Sequence, residues 1–208
     1  MRGVAFIGGE GPAAGRGGSL AAGAAVIAAA DSGLIAAEEA GLRPHWIVGD
    51  MDSLDEPRRL EGYPADRIIR YPPDKDYTDT ELVLRLLWDR GCDETWLIGG
   101  GGGRTDHLLA IRSLFERDRS PDRWITREED IRLLKEGEGL SPELPPGSRV
   151  SVFPLGIGPW KAESRFLKWS LDALSWDRGF FGLSNIAPEG SFTVRAAAGR
   201  FLVVLPLL

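Results

Sequence analysis

The sequence has few of the features that mark a disulfide framework, a thiolate metal site or a membrane span. It contains one cysteine, Cys92, which excludes an internal disulfide and a cysteine-rich metal site. No apolar run reaches the roughly 18–20 residues that a spanning helix needs, and the apolar run at the N-terminus is too short for a signal peptide. The net charge is −6, without the basic excess of nucleic-acid-binding proteins. We therefore expect a cytoplasmic protein that binds neither nucleic acid nor membrane.

Short apolar runs in the first two-thirds of the chain predict an α/β domain with a mostly parallel sheet. The runs alternate with helical patterns, as they do in parallel sheets. The predicted strands cover residues 4–7, 25–30, 46–48, 67–71 and 95–98. The predicted helices cover residues 32–40, 78–91 and 106–116, and the second of these begins with a Thr-x-x-Glu capping box.

The character of the chain changes after residue 134. Residues 135–147 are rich in Gly, Pro, Glu and Ser, which is typical of a linker. Beyond them, β-branched or alternating runs at 149–153, 192–196 and 200–205 predict strands. The expected organisation is an α/β domain at 1–134, a linker at 135–147 and a small all-β domain at 148–208.

Aspartates follow three of the predicted strands. Asp31 follows the second strand, Asp50 and Asp52 follow the third, and a further group follows the fourth: Asp74, Asp76 and Asp79. Ligands of open α/β sheets bind beyond the carboxyl ends of the strands, where these carboxylates would repel one another unless a cation such as Mg²⁺ joined them. Asp50 and Asp52 point the same way on an extended segment, which favours a metal role. Asp31 suits a helix cap equally well, and Asp55 and Asp66 are interpreted as solvated.

Five consecutive glycines, residues 99–103, lie between a predicted strand and a predicted helix. Backbone N–H groups of such a loop and of a helix N-terminus bind anions, and the guanidinium of Arg104 suits phosphate oxygens. The Gly-Lys-Ser/Thr ending of a Walker loop is absent. Because ordering five glycines costs much entropy, we expect a loop that a ligand orders. His107 is a neighbour of the site whose role is a base, a phosphate contact or a structural hydrogen bond.

Four of these segments, in this order, resemble the signature of thiamine pyrophosphokinases. They are Ala-Asp31-Ser-Gly, Gly-Asp50-Met-Asp52-Ser, Asp-Lys75-Asp-x-Thr78-Asp79 and Gly-Gly-Arg104-x-Asp106-His107. The resemblance implies an α/β catalytic domain followed by a β-sandwich, in a homodimer with active sites at the subunit interface. It also implies transfer of a pyrophosphoryl group from ATP to the hydroxyl of thiamine, with Mg²⁺, giving thiamine diphosphate and AMP.

The resemblance also implies roles for individual residues. The Mg²⁺ ligands would be Asp50, Asp52 and Asp79, which with Arg104 and Asp106 make up the catalytic set. Either Asp79 or Asp106 would accept the hydroxyl proton. The residues around ATP would be Asp31, Ser32, Lys75, Thr78, Gly101, Gly102, Gly103, Arg104, Asp106 and His107.

The resemblance is thinner in the last third of the chain. Residues 167–171 are similar to a family segment with an aromatic residue, although Phe166 stands where the family has glycine, and residues 182–185 resemble a Ser-Asn segment that contacts thiamine. The implied thiamine-binding residues are Trp169, Ser184 and Asn185, since an aromatic face suits a cationic thiazolium. Trp169 could instead fill the core of the β-domain.

Three other functions fit parts of the sequence. A related pyrophosphokinase would use a pterin alcohol as acceptor. A dinucleotide-binding module is suggested by Gly9-x-Gly11-x-x-Ala14, with Asp31 about 20 residues on, but Pro12 and the glycines that follow should prevent the helix that this motif requires. A sensor would bind thiamine without turnover, which the intact set of Asp50, Asp52, Asp79 and Arg104 disfavours.

Overall fold

The computed structural model describes residues 1–54 and 57–208. Asp55, interpreted as solvated, lies outside the described residues, and the side chain of Asp66 is exposed as expected. The chain divides into two units. The first comprises Met1–Leu114 with Trp124–Arg127, and the second comprises Phe115–Arg123 with Glu128–Leu208.

The first unit is built on a parallel sheet. Its strands are β1 (Arg2–Phe6), β2 (Val26–Ala30), β3 (Trp46–Gly49), β4 (Ile68–Arg70), β5 (Glu94–Ile98) and β6 (Arg123–Ile125). Their order is β6-β5-β1-β2-β3-β4, and β5, β1, β2, β3 and β4 pair in parallel with their neighbours. The central strands are apolar and buried on both faces, as parallel strands between helices must be. All five strands predicted for this part are confirmed.

Four helices follow strands of this sheet: α1 (Ala14–Ala21), α2 (Gly33–Glu39), α3 (Asp79–Asp89) and α4 (Thr105–Leu114). Two short 3-10 helices cover Pro57–Gly62 and Ala65–Arg67. The predicted capping box starts α3, with the Thr78 hydroxyl accepting from the Glu81 amide and the Glu81 carboxylate accepting from the Thr78 amide. Helix α3 buries Val83, Leu84 and Leu87. No helix among the described residues is long and apolar enough to cross a membrane.

The expectation that no helix forms after Pro12 is wrong, because α1 occupies Ala14–Ala21. Two of its glycines, Gly17 and Gly18, pack against the end of α2. A Cβ at Gly18 would lie 2.6 Å from the carbonyl oxygen of Ala40, and one at Gly17 would touch the Ala40 side chain. Burial at this contact offsets the low helix propensity of glycine.

The second unit is a β-sandwich. Its strands are β7 (Glu129–Leu134), β8 (Gly139–Leu140), β9 (Ser148–Leu155), β10 (Lys161–Arg165), β11 (Gly182–Ala187), β12 (Thr193–Ala198) and β13 (Arg200–Pro206). They form two antiparallel sheets, ordered β11-β9-β13-β7 and β10-β12-β8. Both sheets contribute to one apolar core, which includes Val152, Val194 and Phe201. Trp176 fills this core and meets Phe201 edge-on, with ring centroids 5.0 Å apart.

The structure divides the chain differently from the predicted boundaries at 134 and 147. The expected linker contains β8, which pairs with β12, and Leu140 and Leu144 pack against the sandwich core. Residues 135–147 therefore belong to the second unit. Their Gly and Pro content reflects turns between short strands rather than a free connection.

Candidate active site

Three carboxylates meet at the carboxyl edge of the parallel sheet in the first unit. Asp31 follows β2, Asp50 follows β3, and Asp79 is the first residue of α3, after β4. One oxygen from each lies within 4.8 Å of the others. All three residues are partly buried. The sheet thus brings together residues that are far apart in the sequence, as the positions of the aspartates after successive strands predicted.

The position of Asp31 depends on a glycine in the next strand. Asp31 has a left-handed backbone (φ 45°), and its Oδ1 accepts a hydrogen bond from the amide of Met51 at 3.0 Å. A Cβ at Gly49, the last residue of β3, would lie 2.0 Å from that same oxygen. Gly49 also has φ 144°, which side chains rarely allow. Only glycine at this position lets the Asp31 carboxylate approach Asp50.

Lys75 lies between two of the three carboxylates, those of Asp50 and Asp79. Its Nζ donates to Asp50 Oδ2 at 2.7 Å and lies 3.2 Å from Asp79 Oδ1. The lysine side chain is 12% exposed, and that of Asp50 is 10% exposed. Sequence reasoning assigned Lys75 to ATP but missed this contact, because a long flexible side chain leaves no local pattern that shows where its ammonium lies.

The carboxylates differ in proton affinity according to their neighbours. Burial raises the pKa of Asp31 to about 7, and its contact with Asp79 adds to that effect. The hydrogen bond from Lys75 lowers the pKa of Asp50 below its ordinary value. Burial lowers the pKa of the Lys75 ammonium, but its bonds to Asp50 and Asp79 outweigh burial and raise the pKa. Asp50 and Lys75 are therefore both charged at neutral pH.

Asp52 lies beside this group but outside it. Its backbone amide donates to Asp50 Oδ1 at 3.2 Å, and its own side chain is exposed. The carboxylate of Asp50 raises the pKa of Asp52. The structure therefore joins Asp50 and Asp79 of the predicted metal ligands, with Asp31 as their third member, and the metal role of Asp52 stays a prediction.

Two residues expected near ATP carry structural hydrogen bonds in the same region. The amide of Ser32, at the start of α2, donates to the hydroxyl of Ser53 at 3.2 Å. The hydroxyl of Thr78 is engaged by Glu81 in the capping box. This bond orients the first turn of α3, which carries Asp79.

Hydrogen bonds within the protein hold the first three residues of the glycine loop, so ordering by a ligand stays a prediction only for Gly102 and Gly103. The amide of Gly100 donates to Gly8 O at 2.9 Å, and Gly101 exchanges two backbone hydrogen bonds with Glu10. The indole of Trp124 donates to Gly99 O at 2.8 Å. Because Gly100 and Gly101 use their N–H groups in this way, the anion-binding role would fall to the part of the loop after them. Gly102 and Gly103 have φ values of 63° and 64°.

Arg104, Asp106 and His107 form a second polar group at the start of α4. The Arg104 guanidinium donates to both oxygens of Asp106, at 3.1 and 2.5 Å, and their side chains are 72% and 61% exposed. The amide of His107 donates to Asp106 Oδ1 at 3.0 Å. The bond from Arg104 lowers the pKa of Asp106. Exposed ion pairs of this kind add little stability, so the guanidinium is available to an anion.

In the second unit, the residues expected to contact thiamine have different environments. Trp169 is 53% exposed, so it does not fill the core. Asn185 is buried, and its amide group is used internally. Its Oδ1 accepts from Trp169 N at 3.1 Å and from Ile186 N at 2.8 Å, and its Nδ2 donates to Trp169 O at 2.6 Å. Asn185 therefore holds the backbone of Trp169 in place.

Two residues near Trp169 adopt the left-handed backbone that favours glycine. Phe166 has φ 65° and Ser184 has φ 58°. The Phe166 side chain is among the most exposed large apolar groups of the described residues, at 71%. Glycine would relieve this strain. A strained and exposed aromatic residue is typical of a site that meets a ligand or a partner.

The carboxylate group of the first unit fits a divalent cation. Its donors are hard oxygens, which Mg²⁺ prefers. Asp79 Oδ1 is buried and in contact with the Lys75 ammonium at 3.2 Å, so this position already suits a positive ion. The sequence analysis placed Asp31 with the nucleotide, whereas the structure places it with Asp50 and Asp79. Its position after β2, opposite a glycine at the end of β3, was the available signal for this.

Comparison with known proteins links these residues to one family. The family model described as thiamin pyrophosphokinase, catalytic domain, matches residues 18–123. The thiamine pyrophosphokinase of Bacillus subtilis (strain 168) is 32% identical over 103 residues, which cover 47% of this chain and 48% of that protein. The match thus spans about half the length of this relative.

Solved structures show the same fold over nearly the whole chain. The thiamine pyrophosphokinase structure from Bacillus subtilis has a TM-score of 0.80 at 20% identity and covers 99% of each chain. A thiamin pyrophosphokinase family protein from Enterococcus faecalis has a TM-score of 0.77 at 24% identity over 100% of each chain. The structure from Candida albicans has a TM-score of 0.77 at 18% identity, over 100% of this chain and 90% of that one. At these identities the likeness concerns the fold.

Proposed function

This chain belongs to the thiamin pyrophosphokinase family, and we propose on that basis that it transfers a pyrophosphoryl group from ATP to the hydroxyl of thiamine. The observation that carries the proposal is the group of Asp31, Asp50 and Asp79 within the residues that match the family model. Such a group suits an ATP-dependent transfer, in which charge on the phosphates must be neutralised.

In the proposed reaction the thiamine hydroxyl oxygen bonds to the β-phosphorus of ATP. The bond from this phosphorus to the bridging α–β oxygen breaks, and AMP leaves with that oxygen. The contribution of the protein is alignment and electrostatics, as in other phosphoryl transfers. The products are thiamine diphosphate and AMP.

Asp31, Asp50 and Asp79 would hold Mg²⁺, with Asp52 as a further candidate. When bound, the ion supplies Lewis-acid neutralisation of charge on the transferring group. Gly49 leaves the space that lets the Asp31 carboxylate lie beside the other two, and the capping box at Thr78 fixes the turn that carries Asp79. These residues position the ligands, and Lys75 balances their charge in the metal-free protein.

The phosphates would be bound by the end of the glycine loop and by Arg104. The exposed guanidinium of Arg104 exchanges its bonds with Asp106 for bonds to phosphate oxygens, which are of the same type. In the free protein Arg104 lowers the pKa of Asp106, but that bond is given up when Arg104 binds phosphate. Either Asp79 or Asp106 would therefore take the proton of the attacking hydroxyl.

Thiamine would bind to the second unit beside Trp169. The exposed indole offers a face for a cationic ring, and Asn185 holds its backbone in place. We further propose a cytoplasmic homodimer with active sites at the interface. Several exposed apolar side chains of the second unit suit coverage by a second copy: Phe166, Trp169, Phe180, Phe181 and Leu183. The mass of the protein in solution, measured by light scattering, tests the dimer.

The decisive experiment measures AMP release from purified protein with ATP, Mg²⁺ and thiamine. Omission of thiamine is the control, and thiamine diphosphate is identified by chromatography. AMP that appears only with thiamine supports the proposal. AMP release that depends on a hydroxymethylpterin instead of thiamine would identify the pterin alcohol as the acceptor. This acceptor is tested because Phe166 stands where the family has glycine. Binding of thiamine without AMP release would indicate a sensor.

A further inference from the structure

The position of Lys75 resembles that of a bound cation. Its ammonium lies between carboxylates from two different segments, 2.7 Å from Asp50 and 3.2 Å from Asp79. Its side chain is 12% exposed, so solvent screens these interactions only weakly. A group of three carboxylates with one internal ammonium is electrostatically closer to balance than the carboxylates alone.

A divalent cation and this ammonium cannot share the same oxygens. Mg²⁺ binds its ligands at about 2.0–2.1 Å, and at that distance from Asp50 and Asp79 it would strongly repel a positive charge in contact with the same carboxylates. Lys75 reaches the group through four methylene groups and can leave it without a change in the backbone.

We propose that Lys75 is a positioning residue that occupies the cation position of the metal-free protein and is displaced when a divalent cation binds to Asp31, Asp50 and Asp79. This inference rests on the metal site put forward under the proposed function. The tethered ammonium keeps the carboxylates together without metal. Its release couples metal binding to the appearance of a free ammonium at the carboxyl edge of the sheet.

The first test compares Mg²⁺ affinity in the absence of nucleotide, measured by titration calorimetry. Lys75→Met removes the ammonium that competes with the metal, so Mg²⁺ should bind to this variant more tightly than to the wild type. The expected gain is about tenfold in affinity, which corresponds to the loss of one charge-assisted hydrogen bond. Lys161→Met is the matched control, because Lys161 is an exposed lysine of the second unit, and it should not alter the affinity. Equal or weaker binding by Lys75→Met would overturn the proposal.

The second test uses wild-type protein and so does not depend on the folding of a variant. Lysines are labelled briefly with an amine-reactive ester, with and without Mg²⁺, and the modified positions are quantified by mass spectrometry. Displacement should increase labelling of Lys75 several-fold when Mg²⁺ is present and leave Lys161 unchanged. This readout separates displacement from a general effect of charge on affinity. Unchanged or reduced labelling of Lys75 would contradict the proposal.

Failure of the metal site has a different signature. If neither the wild type nor Lys75→Met binds Mg²⁺, the metal site and the role of Lys75 are both refuted. If both bind Mg²⁺ equally well, the metal site stands and only the displacement of Lys75 is refuted.

Discussion

Replacement of Gly49 by alanine should disable the site while leaving the fold intact. The new Cβ would lie 2.0 Å from Asp31 Oδ1, so the carboxylate must move by more than about 1 Å to restore ordinary contact. A misplacement of this size costs on the order of 100-fold in rate, or about 2.7 kcal/mol in transition-state stabilisation. We expect kcat/KM for thiamine-dependent AMP release to fall by about this factor, and Mg²⁺ binding to weaken.

Gly41→Ala separates the effect on Asp31 from backbone strain. Gly41 also has a left-handed backbone, with φ 73°, but a Cβ there would meet no atom within 4 Å. This variant should lose about 1–2 kcal/mol of stability and keep its activity. Circular dichroism verifies that both variants are folded at the assay temperature. If Gly49→Ala retained kcat/KM within about twofold of Gly41→Ala, the argument that Gly49 positions the Asp31 carboxylate would be refuted.

Three further predictions concern charged residues of the first unit. Because folding raises the pKa of Asp31 from 3.8 to about 7, its contribution to stability is present below about pH 4 and is lost as the pH rises through 7. Between pH 4 and 8, the free energy of unfolding of the metal-free wild type should therefore fall by about 1–2 kcal/mol more than that of Asp31→Asn, after allowance for solvent screening. Thermal unfolding at a series of pH values measures this, and the same pH dependence of Tm in both proteins would contradict it. Asp79→Asn should weaken Mg²⁺ binding more than Asp52→Asn in calorimetric titrations, since only Asp79 belongs to the carboxylate group, and the reverse order would restore Asp52 as the main ligand. Arg104→Ala should raise the KM for ATP by about tenfold through lost phosphate contacts. Arg178→Ala, at an exposed arginine of the second unit, should leave this KM unchanged. The same KM for ATP in both variants would show that Arg104 does not bind the phosphates.

The part of the site that could be predicted from the sequence follows from one rule of sheet topology. Parallel strands end at a common edge, so aspartates directly after β2 and β3 had to lie close together. The capping box at Thr78 fixed the start of α3 and with it the position of Asp79. These inferences need only local patterns and the direction of the strands.

The rest depends on contacts between segments that no local pattern reveals. Gly100 and Gly101 of the glycine loop are hydrogen-bonded to Gly8 and Glu10, far away in the sequence. Helix α1 contains three glycines, and two of them, Gly17 and Gly18, pack closely against the end of α2. The resemblance implies that Asn185 contacts thiamine, and the sequence does not show that its amide is also bonded to the backbone of Trp169. In each case the decisive contact joins residues that are far apart in the chain.

The origin of the three carboxylates has a consequence for folding. Asp31, Asp50 and Asp79 follow the successive parallel strands β2, β3 and β4, and they come together at the common edge only when these three strands have paired. Long-range parallel pairing is a slow step in folding. Affinity for a divalent cation should therefore arise late, after β2, β3 and β4 have assembled, and a cation added during refolding would accelerate only the last steps. Binding of a divalent cation would then show that β2, β3 and β4 have paired.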